Sequence, residues 1–168
     1  DLIGVIQSPI HHPEGDVFNH TMMVIDEAAK LKNKAKNPLG FMYSALCHDF
    51  GKVLTTTTKE DGRIISYNHE RAGLKLVKKF LNRTTKKEDN NLREYVLNMT
   101  EFHMQPNQLA NQNIKLKSTR KLFCKSVCPE DLVLLAKADA LGRTINQDYT
   151  QKEEYLKNAL NDYKAMKK

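Results

Sequence analysis

The sequence lacks tryptophan and contains only three cysteines, Cys47, Cys124 and Cys128, with no C-x-x-C pair among them. An odd number of cysteines without paired spacing argues against a disulfide framework and indicates a reducing compartment. No stretch approaches the roughly 20 consecutive apolar residues of a membrane span, and the N-terminus lacks the basic and apolar segments of a secretory signal. We therefore expect a cytoplasmic protein without membrane association.

The composition is that of a globular domain. The chain has 168 residues, of which 40% are apolar and 28% charged, enough to bury a core without disulfides. No internal repeat or compositional break marks a second domain, so residues 1–168 are expected to form one domain. The formal net charge of +7 favours polyanionic partners such as nucleotides, RNA or phosphorylated metabolites. Because residue 1 is Asp rather than Met, a longer parent chain stays open.

Apolar periodicity and capping residues predict an all-α fold, a compact bundle of about six to eight helices. Residues 1–15, rich in proline and glycine, are expected to be an irregular lead-in that packs on the body. Residues 55–62 combine β-branched and turn residues, which predicts an exposed loop able to act as a lid. Helices are predicted over residues 16–32, 39–49, 68–81, 89–103, 129–142 and 147–166, with Gly51 ending the second and Pro106 closing the fourth.

Six ionisable residues fall on the apolar faces of these helices: His20, His48, Asp49, His69, His103 and Asp139. A lone histidine in such a position is usually a satisfied core residue. Four imidazoles and two carboxylates facing one core, with no inward Lys or Arg to pair the acids, are costly to bury unless a cation binds among them. The set predicts a divalent metal site. Mixed ligands of this kind suit Mn, Fe, Co, Ni or Zn, with Mg less natural.

Two positively charged side chains follow these residues in the sequence. Lys52 follows Asp49 by three positions, and Arg143 lies one turn past Asp139. Either side chain can contact a substrate phosphate. A solvated lysine at a helix end and a surface arginine are alternatives of equal weight.

Other polar residues are read as ordinary surface or capping groups. Asp16 is expected to cap the first helix and Glu14 to be solvated, with contact to a metal-bound water as the alternative. His11 and His12 are not expected to be ligands. A basic run is read as a solvated face rather than a polyanion site, because no aromatic residue interleaves before Phe123: Lys115, Lys117, Arg120, Lys121 and Lys125.

Five segments together resemble the HD-domain metal-dependent phosphohydrolases, in order and in spacing. They are HPEGDVFNHT (12–21), ALCHDFGK (45–52), NHERAG (68–73), EFH (101–103) and KADALGR (137–143). Within that superfamily the chain looks most like the HD domains attached to bacterial tRNA nucleotidyltransferases, the CCA-adding enzymes. The resemblance implies that His69 and His103 line the site and, in dinuclear members, hold a second metal bridged by Asp49. It also implies that the metal ligands are His20, His48, Asp49 and Asp139.

The resemblance also implies an activity. We expect metal-dependent hydrolysis of phosphomonoesters or of linear or cyclic phosphodiesters in nucleotides or at RNA ends. Asp49 would take or orient the proton of the attacking water, and the phosphate would be surrounded by Lys52, His69, His103 and Arg143. The alternative is a non-catalytic, metal-containing accessory domain that binds RNA or nucleotides. Nothing resembles a nucleotidyltransferase head, so a free-standing relative and the tail domain of a longer enzyme both stay open, as do substrate, metal identity and oligomeric state.

Overall fold

The computed structural model describes residues 1–168, and most of them lie in α-helices. The helices are α1 (Val17–Leu31), α2 (Pro38–Cys47), α3 (Lys52–Thr55), α4 (His69–Ala72), α5 (Leu74–Thr84), α6 (Asn90–Phe102), α7 (Gln105–Asn111), α8 (Leu116–Lys125), α9 (Pro129–Leu141) and α10 (Thr150–Met166). A 3-10 turn at Lys32–Lys34 links α1 to α2. Seven of the helices have ten or more residues, which confirms the predicted all-α bundle. No helix combines the length and hydropathy needed to cross a bilayer.

The core forms where α1 packs against α2 and α9 while α2 also packs on α6; α8 and α10 form a second helix pair. Its largest side chains are fully buried, among them Phe41 of α2, Met99 of α6 and Leu135 of α9. Burying one such side chain contributes about 1.5–3 kcal/mol. The three helices α1, α2 and α9 are thereby held side by side. Four of the six inward polar residues lie on these helices or directly after them: His20 on α1, Asp139 on α9, and His48 and Asp49 just after α2.

Local signals set several helix starts. Asp16 caps α1, since its Oδ1 accepts from the Asn19 amide at 2.9 Å. Its Oδ2 accepts from the Gly4 amide at 2.8 Å, and this bond ties the lead-in to α1. Pro129 occupies the first turn of α9, where its missing N–H costs no helical hydrogen bond. The lead-in has no helix, as expected.

Gly51 has a different role from the predicted one. The helix α2 ends at Cys47, and Gly51 itself has helical dihedral angles. A Cβ at position 51 would overlap the His69 carbonyl oxygen and lie 2.7 Å from the Gly73 amide nitrogen. Glycine is therefore required because two backbone segments touch here. At the same contact the predicted helix 68–81 is divided into α4 and α5.

The predicted loop at residues 55–62 contains a strand that the sequence did not reveal. Thr57–Thr58 pair in antiparallel fashion with Ile64–Ile65, and Gly62 in the connecting turn has φ +82°. Thr55 belongs to the single-turn helix α3. Two-residue strands are too short to show an alternating pattern, so β-branching alone was the available signal.

Two helices between residues 103 and 126 were also missed. Pro106 does follow the end of α6, but it lies in the first turn of α7 rather than in a loop. The basic run lies on α8, which buries Thr119, Leu122 and Phe123 against the body. The four lysines of the run are exposed, so the solvated-face interpretation agrees with the structure.

Candidate metal centre

Four buried histidines have the same orientation. In each, Nδ1 lies within hydrogen-bonding distance of a backbone carbonyl oxygen, which can only accept. Each Nδ1 therefore carries the proton, and each Nε2 keeps a lone pair available for a metal. The Nδ1-to-oxygen pairs are His20 with Gly142 at 2.9 Å, His48 with Ala45 at 2.7 Å, His69 with Ser66 at 2.9 Å and His103 with Thr100 at 2.6 Å.

The four residues predicted as ligands lie together. His20 lies on α1 and Asp139 on α9, and the His20 Nε2 is 2.8 Å from Asp139 Oδ1 and 3.8 Å from Asp49 Oδ2. The His48 Nε2 is 3.3 Å from Asp49 Oδ2 and 3.5 Å from Asp139 Oδ1. Ligand atoms about 2.1 Å from one ion are roughly 3 Å apart, so these separations suit a shared metal.

His48 and Asp49 lie in tight turns just after α2, where the Phe50 amide donates to the Cys47 carbonyl at 3.1 Å and the Lys52 amide to the Asp49 carbonyl at 3.0 Å. The tight turns let two consecutive side chains face one point, which a continuous α-helix would not allow.

The Nε2 of His48 is buried without a hydrogen-bond partner. The Oδ2 of Asp49 accepts no well-aligned hydrogen bond, and the charge nearest to it is the Lys52 Nζ at 2.9 Å. A buried polar atom left unpaired costs about 1–3 kcal/mol, more when it is charged. A divalent cation would satisfy the His48 Nε2 and be attracted by the Asp49 and Asp139 carboxylates, so the donor set fits a metal ion.

The electrostatics of the metal-free protein lead to the same conclusion. Burial lowers the pKa of His48, but Asp49 and Asp139 outweigh this and raise it to about 10. Burial raises the pKa of Asp139, yet His20 and His48 hold it well below its usual range. The two carboxylates thus favour positive charge at the point where the four residues meet, as they would favour a bound cation.

A second group shares Asp49. Its Oδ1 lies 3.1 Å from the His69 Nε2 and 3.6 Å from the His103 Nε2, on the other side of the carboxylate from His20 and His48. The Nε2 atoms of His69 and His103 are 3.3 Å apart. Because both rings carry their proton on Nδ1, two lone pairs face each other unless a proton or a cation lies between them. Asp49 is thus placed to bridge two cation sites.

Glu14 was expected to be solvated, and that prediction is wrong. Its side chain is 1% exposed, and Oε1 accepts from Nδ1 of His12 and from Nδ1 of His20, both at 2.9 Å. Burial raises the pKa of Glu14, but the hydrogen bonds from His20 and His12 lower it to about 2. Burial and the charge of Lys52 lower the pKa of His12 to about 4. Glu14 lies in an irregular segment, so no periodicity could have revealed its direction.

Lys52 and Arg143 both border a cleft of about 760 Å³ beside the metal centre. The Lys52 side chain is only 12% exposed, with Nζ 2.9 Å from Asp49 Oδ2 and donating to Gln7 Oε1 at 2.7 Å. Arg143 donates from Nη1 to the His11 carbonyl at 3.2 Å, and its Nε is buried without a partner. His69 reaches the cleft, whereas His103 and the basic run of α8 do not.

Comparison with known proteins assigns the class. The family model for the HD domain matches residues 17–144, a span that contains His20, His48, Asp49, His69, His103 and Asp139. The chain belongs to the HD-domain family.

Among curated proteins the chain is similar to those named "Multifunctional CCA protein". The relative from Actinobacillus pleuropneumoniae serotype 5b is 34% identical over 158 residues, covering 90% of this chain and 37% of the relative. The relative from Mannheimia succiniciproducens is 32% identical over 166 residues, covering 93% and 38%. The Haemophilus influenzae relative is 31% identical over 160 residues, covering 90% and 37%. The chain thus spans well under half the length of these relatives. No solved structure matches it.

Proposed function

We propose that this chain is a divalent-metal-dependent phosphohydrolase that hydrolyses phosphomonoester bonds, or linear or cyclic phosphodiester bonds, in nucleotides or at RNA ends. The observation that supports it most strongly is the convergence of the His20 and His48 Nε2 atoms on the carboxylates of Asp49 and Asp139, with the His48 Nε2 buried and unpartnered. This cluster lies beside a cleft bordered by Lys52 and Arg143. A cluster of buried titratable groups beside a cleft is typical of a functional site rather than of a packing device.

The residues divide into a holding set and an acting set. His20, His48, Asp49 and Asp139 would hold one ion of Mn, Ni, Fe, Co, Zn or Mg, and Asp49, His69 and His103 would hold a second. A bound ion supplies acidified water and neutralises phosphoryl charge. Asp49 is placed to orient the attacking water or accept its proton, because its carboxylate lies between the two groups of histidines.

Substrate contacts would come from the cleft. Lys52 and Arg143 supply positive charge for the phosphate oxygens, with Lys52 already placed against Asp49. His69 borders the cleft, and with a single ion bound a protonated His69 Nε2 would donate a proton to the leaving oxygen. With a second ion bound, the same atom would be a metal ligand instead. His103 is fully buried, so its contribution would be made as a ligand of the second metal site.

Glu14 would act through His20. Its carboxylate accepts from the Nδ1–H of His20 and so holds Nε2 toward Asp139 and Asp49. A carboxylate behind a metal-bound imidazole fixes the tautomer and raises the basicity of the ligand. Glu14 is therefore a positioning residue in this scheme.

A non-catalytic accessory role is the second candidate, and the relatives' lengths favour it: each matched relative contains much more chain than this domain. In that role the cleft would bind RNA or nucleotide without turnover, and the metal would be structural. A structural site is coordinatively closed, whereas a catalytic site keeps a position open to solvent.

The deciding experiment measures metal content of the purified protein by elemental mass spectrometry and hydrolysis of bis-p-nitrophenyl phosphate with added Mn or Ni. We expect bound metal and turnover that falls at least about 100-fold in Asp49→Ala. Asp162→Ala, which removes a carboxylate from the distant pair with Arg120, should retain turnover. Absence of any bound divalent metal, or full activity in Asp49→Ala, would refute the proposal. Bound metal without turnover on this or nucleotide substrates would favour the accessory role.

A further inference from the structure

The residues that border the cleft beside the metal centre include two chemically different groups. One group is basic and comes from the lead-in, the start of α3 and the turn after α9: His11, His12, Lys52 and Arg143. The other group is apolar and comes from the second strand of the hairpin, the turn after it and the turn after α6: Ile64, Ile65, Tyr67 and Met104. We call this second group the apolar wall. The basic group is accounted for by the proposed phosphate contacts, and the apolar wall is not.

Tyr67 is the most exposed member of the wall. Tyr67 is 65% exposed, although its ring is large enough to contribute to a core. The Lys59 Nζ lies 5.5 Å from the ring centroid, over one face. Because most of the residue stays exposed despite that contact, ring surface is available to a planar ligand.

The backbone on either side of Tyr67 is anchored. The Ser66 hydroxyl lies 2.7 Å from the Thr56 hydroxyl, and the Ser66 carbonyl accepts from Nδ1 of His69 at 2.9 Å. Asn68 has φ +56°, a left-handed conformation that reverses the chain between Tyr67 and His69. Tyr67 is thus held two residues before His69 of the metal centre. Asn68, which lies between them, takes on some backbone strain.

We propose that the apolar wall is a nucleobase-binding subsite, with the base stacked on Tyr67 while the phosphate lies between Lys52 and Arg143. The proposal rests on the proposed function and adds to it the part of the substrate that is recognised. A nucleotide has the same division as the cleft, a dianionic phosphate at one end and an uncharged aromatic base at the other. The cleft volume of about 760 Å³ falls in the ordinary range for small-molecule sites.

The polar atoms beside the wall indicate how selective the subsite is. Asn68 and Gln108 border the cleft with side-chain amides, each of which offers both a donor and an acceptor. By rotating, amides of this kind can form hydrogen bonds with the edge of any base. Stacking on an aromatic ring likewise tolerates any base. We therefore infer a subsite that requires a base but discriminates weakly among bases.

The test compares two substrates with the same reacting phosphate, adenosine 2′,3′-cyclic phosphate and methyl riboside 2′,3′-cyclic phosphate, which has no base. We expect kcat/KM to favour the nucleotide about tenfold or more, the usual effect of one stacked base. Tyr67→Ala should abolish this preference through KM, and Tyr67→Phe should retain it. Leu39→Ala, which removes an equally exposed apolar side chain (60%) outside the cleft, is the matched control.

A binding measurement keeps the subsite testable if the domain does not turn over. Calorimetry on the metal-loaded protein would compare adenosine 5′-monophosphate and uridine 5′-monophosphate with ribose 5-phosphate. Tighter binding of both nucleotides, lost in Tyr67→Ala, would support the apolar wall even if hydrolysis failed. Equal affinity of nucleotide and sugar phosphate, or a preference that survives in Tyr67→Ala, would overturn it, and the proposed hydrolysis could still stand.

Discussion

Two buried carboxylates in this molecule, Asp131 and Asp49, have opposite surroundings. Asp131 is fully buried near the start of α9 and accepts from the Lys36 amide at 2.8 Å, the Asn37 amide at 3.1 Å and the Tyr95 hydroxyl at 2.6 Å. Asp49 is equally inaccessible, but its Oδ2 faces titratable groups instead of neutral donors, with the Lys52 Nζ at 2.9 Å and the His48 Nε2 at 3.3 Å.

The difference teaches how to recognise a functional buried acid. Asp131 is satisfied by neutral donors that the fold keeps fixed, two of them backbone amides that cannot move without unfolding the segment before α2. Asp49 is surrounded by histidines that are themselves candidate metal ligands and by the Lys52 ammonium. Burial alone is common to both residues, so the kind of partner separates the structural carboxylate from the candidate metal ligand.

The largest effect should come from the structural acid. Asp131→Ala would leave two backbone amides and the Tyr95 hydroxyl buried without an acceptor, so we expect the free energy of unfolding to fall by about 3–5 kcal/mol. Urea denaturation measures this loss. Metal content per folded molecule should not change, and a variant that lost metal but kept its stability would reverse the comparison.

Metal removal should have the next largest effect. Chelation with EDTA should lower the free energy of unfolding by about 2.7 kcal/mol if the ion was present at 100 times its Kd, since the ion binds only the folded chain. Thermal denaturation with and without EDTA measures this. The Asp49→Ala protein serves as the control and should respond little to EDTA. Equal melting temperatures for loaded and stripped wild-type protein would contradict a metal at Asp49.

Glu14→Gln tests how much the carboxylate that accepts from His20 contributes to metal affinity. The amide keeps one oxygen acceptor but loses the charge that two Nδ1–H groups share, so metal affinity should fall about 10-fold, and Glu14→Ala by up to about 100-fold. Competition with a chromophoric chelator measures the affinity. Glu153→Gln, in an exposed pair with Lys137, is the matched control. Unchanged affinity in Glu14→Ala would remove the positioning role.

The smallest effect is expected on the basic face of α8. Arg120 pairs bidentately with Asp162 of α10, with Nε and Nη2 2.8 and 2.9 Å from the two carboxylate oxygens. Because both side chains stay partly exposed to solvent, at 38% and 25%, Arg120→Ala should cost less than about 1 kcal/mol. Metal affinity and turnover should not change. A large loss of turnover would mean that α8 takes part in the site after all. Thermal denaturation measures the change in stability, and the phosphodiester assay measures turnover.

Much of the fold could be predicted from local signals. The start of α1 followed from the capping Asp16 and that of α9 from Pro129, because both act through neighbouring backbone groups. The hairpin at residues 57–65 and the helix α8 were missed for the opposite reason. A two-residue strand has no period, and the run of lysines on α8 hid the short apolar face that packs on α10.

The residues of the candidate site could likewise be predicted only where local signals point to them. The six inward residues follow from their positions on apolar helix faces, and the structure brings all six together. Glu14 could not be found this way, because residues 1–15 have no regular direction. Lys52 could not be separated from a solvated lysine, because its pairing with Gln7 depends on where the lead-in folds back.

By itself, the sequence determined most of the longer helices and which side of each one faces inward, because periodicity specifies direction relative to a single helix axis. Only the tertiary structure decided the distances between axes. Those distances place the His20 Nε2 2.8 Å from Asp139, a residue 119 positions away. They also bury Glu14, bring two lone pairs face to face at His69 and His103, and gather the basic group and the apolar wall around one cleft. Contacts between segments far apart in sequence depend on how every intervening element packs, and no local pattern records that.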